Sequence, residues 1–127
     1  MDWQQAPDVK RDLNKIIRTL ELKHLLPSRI YCFRTNGSKS RAYARIWSFP
    51  KIFQTVLKIK PAYVIEVLSK YYDKLDKESQ KKVLIHELLH IPKNFSGALL
   101  SHRGRNRHLH KDASKLHAKY KEMTRYD

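Results

Sequence analysis

Two histidines and a glutamate near the middle of the chain have the types and spacing of a metal site on a helix. The segment VLIHELLHIP, from Val83 to Pro92, contains His86, Glu87 and His90. Residues four apart lie one turn apart on the same face of an α-helix, so both imidazoles can point at a single ion. Imidazole nitrogen is a preferred zinc ligand, and a neighbouring carboxylate can take a proton from water at the ion. The pattern therefore predicts Zn2+ held by His86 and His90, with Glu87 as general base.

The residues around this motif predict the helix that must present it. We expect the helix to run from Leu75 to Ile91, because Asp76 is a good N-cap and Pro92 cannot continue a helix. Its large apolar residues fall on one broad arc, with both histidines on the opposite side. The residues of this arc are Leu84, Ile85, Leu88, Leu89 and Ile91. Such a helix can pack on a core and still present a metal site.

The third ligand of this site must come from outside the helix, because a catalytic zinc ion usually has three protein ligands and a water molecule. The metzincin pattern would place Gly at position 93 and His at position 96, and this chain has Lys93 and Ser96 there. We favour His102, because the segment after His90 is long enough to bring a loop back under the helix. Two other histidines remain alternatives for this ligand: His108 and His110.

The excess of basic residues predicts a polyanionic partner. The chain has 27 Lys and Arg against 12 Asp and Glu, which gives a formal net charge of +15. Residues 31–65 contain no acidic residue, and their basic residues are Arg34, Lys39, Arg41, Arg45, Lys51, Lys58 and Lys60. This charge favours DNA or RNA, bound through its phosphates. The candidate contacts of the basic C-terminal segment are Arg103, Arg105, Arg107 and Lys111.

The remaining pattern is typical of an α+β fold. We expect a single domain over residues 1–127, with a short mixed or antiparallel sheet and flanking helices. Asn36-Gly37 predicts a hairpin that joins a strand over Arg29–Thr35 to a strand over Ala42–Phe49. The other expected elements are a strand over Ala62–Leu68, helices over Asp8 to about Leu26 and Lys51–Lys58, and a basic C-terminal helix at about residues 110–125.

The bulk composition favours a cytoplasmic protein with no membrane partner. No apolar run approaches the roughly 18 residues that a membrane span needs. The N-terminus has no apolar segment of the kind found in secretory signals. The only cysteine, Cys32, cannot form an internal disulfide, which fits a reducing compartment.

One stretch of the sequence resembles a known family. HELLHIP, followed by FSGAL and then by His102-Arg103-Gly104, is similar to the zincin-like metallopeptidases of archaea and phages, which are distantly SprT-like. The resemblance, from about Tyr31 to about Gly104, implies a minimal zincin-like fold with an HExxH active-site helix and a third histidine ligand before a further helix. It also implies zinc-dependent hydrolysis of a protein or peptide substrate, and SprT-like relatives are linked to DNA–protein crosslinks. In the SprT-like pattern the histidine is followed directly by glycine, whereas Arg103 lies between His102 and Gly104 in this chain.

Two other functions fit the same residues: a basic nucleic-acid-binding module with a structural zinc, and a metal-dependent nuclease. The role of Glu87 distinguishes a structural zinc site from a peptidase, because a structural site does not need a general base. For a peptidase, we expect the strand over Ala62–Leu68 to be a sheet edge along which an extended substrate pairs. The candidates to stabilise the oxyanion are Arg103, Arg105 and His108.

Overall fold

The computed structural model of the protein describes residues 2–104 and 108–126. Over these residues the chain forms four β-strands and five α-helices in an α+β arrangement, which confirms the predicted fold class. The strands are β1 (Asp2–Gln5), β2 (Ile30–Asn36), β3 (Ala44–Ser48) and β4 (Tyr63–Leu68). The helices are α1 (Pro7–Thr19), α2 (Lys51–Leu57), α3 (Ser69–Tyr72), α4 (Lys77–Leu88) and α5 (Leu109–Met123), with a 3₁₀ helix at Pro27–Arg29.

The four strands form one mixed sheet in the order β1-β2-β4-β3. β2 and β4 are parallel, with Cys32 opposite Ile65, whereas β1 pairs antiparallel with β2 and β3 pairs antiparallel with β4. β4 is buried along nearly its whole length, as expected for a nearly continuous apolar run with a strand on each side. β1 and β3 are therefore the two edges of this sheet.

Two predictions about strand pairing are wrong. Asn36-Gly37 does not form a hairpin, because β4 lies between β2 and β3 and Trp47 of β3 pairs with Val64 of β4. Gly37 does turn the chain, with φ of 79°. For the same reason the strand over residues 62–68 is not a sheet edge. The edge on that side is β3.

The first helix is shorter than predicted, and its end has a local cause. α1 ends at Thr19 rather than near Leu26. Glu21 adopts the left-handed conformation with φ of 53°, and the backbone N–H of Leu22 donates to the carbonyl of Ile17 at 3.0 Å. This is the pattern of a helix C-terminus that turns back on its own last carbonyls. The chain is already out of the helix before Pro27.

The sequence pattern does not predict β1, whose four residues are all exposed. Without a buried face there is no alternation of polar and apolar residues to reveal a strand. β1 is held instead by its pairing with β2, where Trp3 lies opposite Thr35. The indole N–H of Trp3 also donates to the carboxylate of Glu66 at 3.3 Å.

The core lies between one face of the sheet and helices α1, α4 and α5. The sheet contributes Ile30, Cys32, Ala44, Tyr63, Ile65 and Val67, and the helices contribute Leu13, Ile16, Leu84, Ile85, Leu88, Ala113 and Tyr120. α5, which corresponds to the predicted basic C-terminal helix, packs mainly on α4. None of the described helices is long and apolar enough to cross a membrane.

Candidate metal centre

The first two residues of the motif lie in the last turn of α4. Asp76 caps this helix as predicted, because its carboxylate accepts the backbone N–H of Ser79 at 2.7 Å. Leu84, Ile85 and Leu88 are buried and fix the rotation of the helix on the core. His86 and Glu87 then lie half-buried at the border of the core, where their polar atoms remain accessible.

His90 lies just beyond the helix, which ends at Leu88 rather than at Ile91. The backbone still turns in the same sense, because the N–H of His90 donates to the carbonyl of Glu87 at 3.1 Å, a bond that tightens the last turn. The rings of His86 and His90 therefore remain neighbours, with centroids 5.2 Å apart. The spacing of the motif survives although the helix stops inside it.

A loop brings His102 to the other two histidines. The backbone N–H of Leu100 donates to the carbonyl of His90 at 2.7 Å, and Nδ1 of the His90 ring contacts the carbonyl of Leu100 in return. Two residues later, Nε2 of His102 lies 3.3 Å from Nε2 of His86. The ligand atoms of His86, His90 and His102 all lie within 4.8 Å of one another. Among the residues described, this is the one group of at least three His, Cys, Asp or Glu side chains with metal-ligand spacing.

The spacing and protonation of these histidines fit a zinc ion. Two nitrogens that each lie 2.0–2.1 Å from a tetrahedral zinc ion are about 3.3–3.4 Å apart, which matches the 3.3 Å between His86 and His102. The carbonyl at His90 Nδ1 requires a proton there and leaves Nε2 free to bind a metal. Burial and the neighbouring imidazoles lower the pKa of His86 to about 4, so this ring is neutral near pH 7.

The loop that carries His102 is anchored by the buried hydroxyl of Tyr63 on β4. This hydroxyl accepts the backbone N–H of Gly97 at 2.8 Å and donates to the carbonyl of Ala98 at 2.9 Å. Gly97 has φ of 94°, and a β-carbon there would collide with the side-chain amide of Gln54. That amide donates to the carbonyls of Phe49 and Ser96. The loop is therefore tied to the sheet and to α2 before it reaches the site.

We expect Tyr63→Phe to weaken both the fold and the site, because it leaves the buried N–H of Gly97 without an acceptor. The free energy of unfolding should fall by about 1–3 kcal/mol, measured by urea denaturation with chelator present so that metal binding does not contribute. The same substitution at exposed Tyr31 is the matched control and should change little. Equal stability of the two variants would show that the Tyr63 hydroxyl does not hold the loop.

Glu87 and His86 line a cleft of about 440 Å³ next to the histidine cluster. The cleft is lined by Tyr43, Ala44, Leu75, Ser79, Lys82, Val83, His86, Glu87, His110 and Ala113. Burial raises the pKa of Glu87 to about 7, because the charged form loses contact with water. A carboxyl group of this kind, next to candidate metal ligands and open to a cleft, has the position that a proton-transfer group needs.

The other histidines and arginines considered for this site lie elsewhere or outside the described residues. His110, in the first turn of α5, has its ring 5.5 Å from that of His86 and lines the cleft, but it is not part of the cluster of ligand atoms. His108 is exposed at the N-terminus of α5. Arg103 and Lys111 are also exposed. Arg105 and Arg107 lie outside the described residues, and nucleic-acid binding by this basic segment stays a prediction.

Comparison with known families identifies the kind of protein to which these residues belong. A family model described as "Putative phage metallopeptidase" matches residues 1–124. The chain belongs to this family. Comparison with curated proteins and with solved structures found no match. Membership of a phage metallopeptidase family implies a metal ion and protein substrates, and three histidines of this family member can hold such an ion.

Sequence reasoning missed two contributions to the candidate site. Ala44, the first residue of β3, and Tyr43 just before it line the cleft with Glu87, whereas the sequence predicts that β3 pairs with β2. His110 was considered only as a ligand, whereas it forms part of the cleft wall with Ala113. The sequence contains a signal for this shared position, because His110 and Ala113 are three residues apart and lie on one face of the predicted C-terminal helix.

Proposed function

We propose that the chain hydrolyses peptide bonds with a zinc ion held by His86, His90 and His102 and with Glu87 as general base. The observation that carries this proposal is the convergence of three imidazole nitrogens within 4.8 Å, next to the half-buried carboxyl group of Glu87 in an open cleft. Neutral nitrogen ligands suit zinc better than calcium or magnesium, which prefer oxygen. Three ligands also leave a position open for water, as catalytic zinc sites do.

Each residue has a separate task in this proposal. A bound zinc ion supplies Lewis acidity, which polarises the scissile carbonyl and makes water more acidic. The Glu87 carboxylate accepts a proton from that water and donates it to the departing amine nitrogen. The carbonyl of Leu100 holds the His90 ring in the orientation in which Nε2 faces the cluster. The buried side of α4 keeps His86 and Glu87 in fixed positions relative to one another.

The substrate is proposed to pair with β3. This strand is the sheet edge next to the cleft, and its first residue, Ala44, lies with Tyr43 in the cleft wall. An extended peptide can add to an edge strand through backbone hydrogen bonds, which bind many sequences because they use no side chain. Such pairing would lead the peptide past Glu87 and the histidines.

His110 is proposed to stabilise the oxyanion that forms on the scissile carbonyl. It lines the same cleft as Glu87, and its ring lies 5.5 Å from that of His86 without joining the cluster of ligand atoms. A donor placed in this way can contact the substrate oxygen as negative charge develops there. Of the candidates named from the sequence, Arg103 and His108 are not among the residues that line the cleft, and Arg105 lies outside the described residues.

The test is hydrolysis of a dye-labelled, denatured protein by the zinc-loaded chain. We expect cleavage that stops when a chelator removes the metal and returns when zinc is added. Nucleic acid is the second substrate in the same assay. If it is cut while protein is not, the site is that of a nuclease. If neither is cut by a chain that holds zinc, the zinc is structural.

A further inference from the structure

The outer face of the sheet, on the side away from α1 and α4, carries exposed aromatic side chains. Trp3 of β1 is 66% exposed, Tyr31 of β2 is 45% exposed and Trp47 of β3 is 52% exposed. Phe33 lies between them on β2. Indole rings with this much exposure cost free energy in water, and a cluster of them on one face is typical of a binding surface.

The two tryptophans enclose a slot across the middle of this face. The slot has a volume of about 320 Å³ and is lined by Trp3, Phe33, Trp47, Val64 and Glu66. Phe33 and Val64 belong to the two central strands and form its floor. A volume near the lower end of small-molecule sites, about 300–1,000 Å³, suits one or two flat rings rather than a folded partner.

Glu66 fixes both indoles and leaves only their ring faces for a ligand. Its side chain is nearly inaccessible and accepts the indole N–H of Trp47 at 2.8 Å and that of Trp3 at 3.3 Å. It also accepts the hydroxyl of Thr35, and Arg45 lies 3.3 Å away. Each carboxylate oxygen thus has two partners. Because both indole donors are already engaged, the slot offers stacking surfaces and no free indole hydrogen-bond donor.

Exposed cations lie in the connections at both ends of the strands that form this face. Lys51 follows β3 and Lys60 precedes β4, at the end where Ser48 pairs with Tyr63. Lys39 and Arg41 lie in the connection at the opposite end. These four side chains and Lys58 are exposed, and no carboxylate of the described part of the chain pairs with them. With a net charge of +15, two copies of the chain would repel one another, so the charge selects an anionic occupant.

We propose that the outer face of the sheet binds single-stranded nucleic acid, with bases stacked in the slot between Trp3 and Trp47 and phosphates on the lysines and arginine at its ends. The flat rings of the bases match the aromatic slot, and the repeated negative charge of the phosphates matches the cations. The surface is separate from the metal centre, so the proposal does not depend on the proposed hydrolysis.

This arrangement has two consequences for selectivity. Bases can enter the slot only when they are unpaired, so a single strand should bind more tightly than a duplex of equal length. Stacking uses the ring face that every base has, so different base sequences should bind with similar affinity. A strand of deoxynucleotides and one of ribonucleotides share this chemistry, and a direct comparison of the two distinguishes them.

Tryptophan fluorescence provides a direct test, because the two tryptophans of the chain both lie on this face. The chain is titrated with single strands of about 12 nucleotides, of deoxythymidine, deoxyadenosine and uridine, and with a duplex of the same length. At about 50 mM salt we expect quenching by all three single strands and weaker binding of the duplex. Trp47→Ala should weaken single-strand binding by about ten-fold or more.

Control variants separate stacking from folding. Tyr31→Ala removes an exposed ring of the same face that has no hydrogen-bond partner among the described residues, and it should also weaken binding. Trp47→Phe keeps a flat ring and should restore most of the affinity. Tyr126→Ala removes an exposed ring elsewhere and should have no effect. The proposal is overturned if the duplex binds as tightly as the single strands, or if no nucleic acid binds. It is also overturned if the Trp47→Ala and Tyr31→Ala variants bind with unchanged affinity. Binding of a second copy of the chain or of an acidic protein to this face would overturn it as well.

Discussion

Replacing Glu87 with glutamine is expected to abolish peptide hydrolysis while the metal stays bound. The amide has nearly the same shape as the carboxyl group but cannot accept the proton of water, so the rate should fall by about 10²–10⁴-fold. Because Glu87 is not part of the group of side chains that could hold the metal, the bound zinc should remain at the wild-type level. The measurement is the initial rate of cleavage of a denatured protein at equal zinc content.

The matched control for this substitution is Glu78→Gln, which changes a carboxylate near the other end of α4. Glu78 lies in the first turn of the helix and is not among the described residues that line the cleft, so the substitution should leave the rate unchanged. If Glu87→Gln hydrolyses protein as fast as the unaltered chain, Glu87 has no part in the reaction. If that variant loses zinc as well, the carboxyl group of Glu87 is a metal ligand rather than the general base.

His86→Ala or His90→Ala is expected to remove the metal almost completely. Each substitution leaves two imidazoles where a structural or catalytic zinc ion needs at least three protein ligands. Because binding to the folded state stabilises it, added zinc should raise the midpoint of thermal unfolding of the unaltered chain and not that of either variant. The measurements are elemental analysis of protein purified without chelator and without a histidine tag, and thermal unfolding with and without zinc.

Two further histidines make this prediction specific. His102→Ala should also lose the metal, since His102 lies within ligand distance of the other two. His110→Ala should retain it, although the His110 ring lies only 5.5 Å from that of His86. If His110→Ala loses zinc and His102→Ala retains it, His110 rather than His102 is the third ligand. If both His86→Ala and His90→Ala retain zinc, the metal is bound elsewhere.

The local part of the site could be predicted from the sequence because helix geometry is local. His86, Glu87 and His90 share a face through their spacing alone, and even the early end of α4 at Leu88 does not separate them. The position of His102 depends on contacts that spacing does not specify. It is set by the hydrogen bonds of Leu100 with His90 and by the hydroxyl of Tyr63, which is 34 residues from Gly97 in the chain.

Strand order was the least predictable part of the fold. Asn36-Gly37 is a strong local pattern for a hairpin, yet β4, which comes later in the chain, pairs with β2 and with β3. The sequence did contain a hint, because YVIEVL is almost continuously apolar, as in strands that are buried on both faces at the centre of a sheet. The exception in that run, Glu66, is buried because two indoles and an arginine satisfy it.

The measurement that tests the central claim most directly is the zinc X-ray absorption spectrum of the zinc-loaded chain. A catalytic site keeps one position open, whereas a structural site is closed by four protein ligands. We predict three imidazole nitrogens and one further oxygen at about 2.0–2.1 Å, with one imidazole fewer in any zinc retained by His102→Ala. A spectrum with four imidazoles, or with a sulfur ligand, would contradict an open site built from His86, His90 and His102.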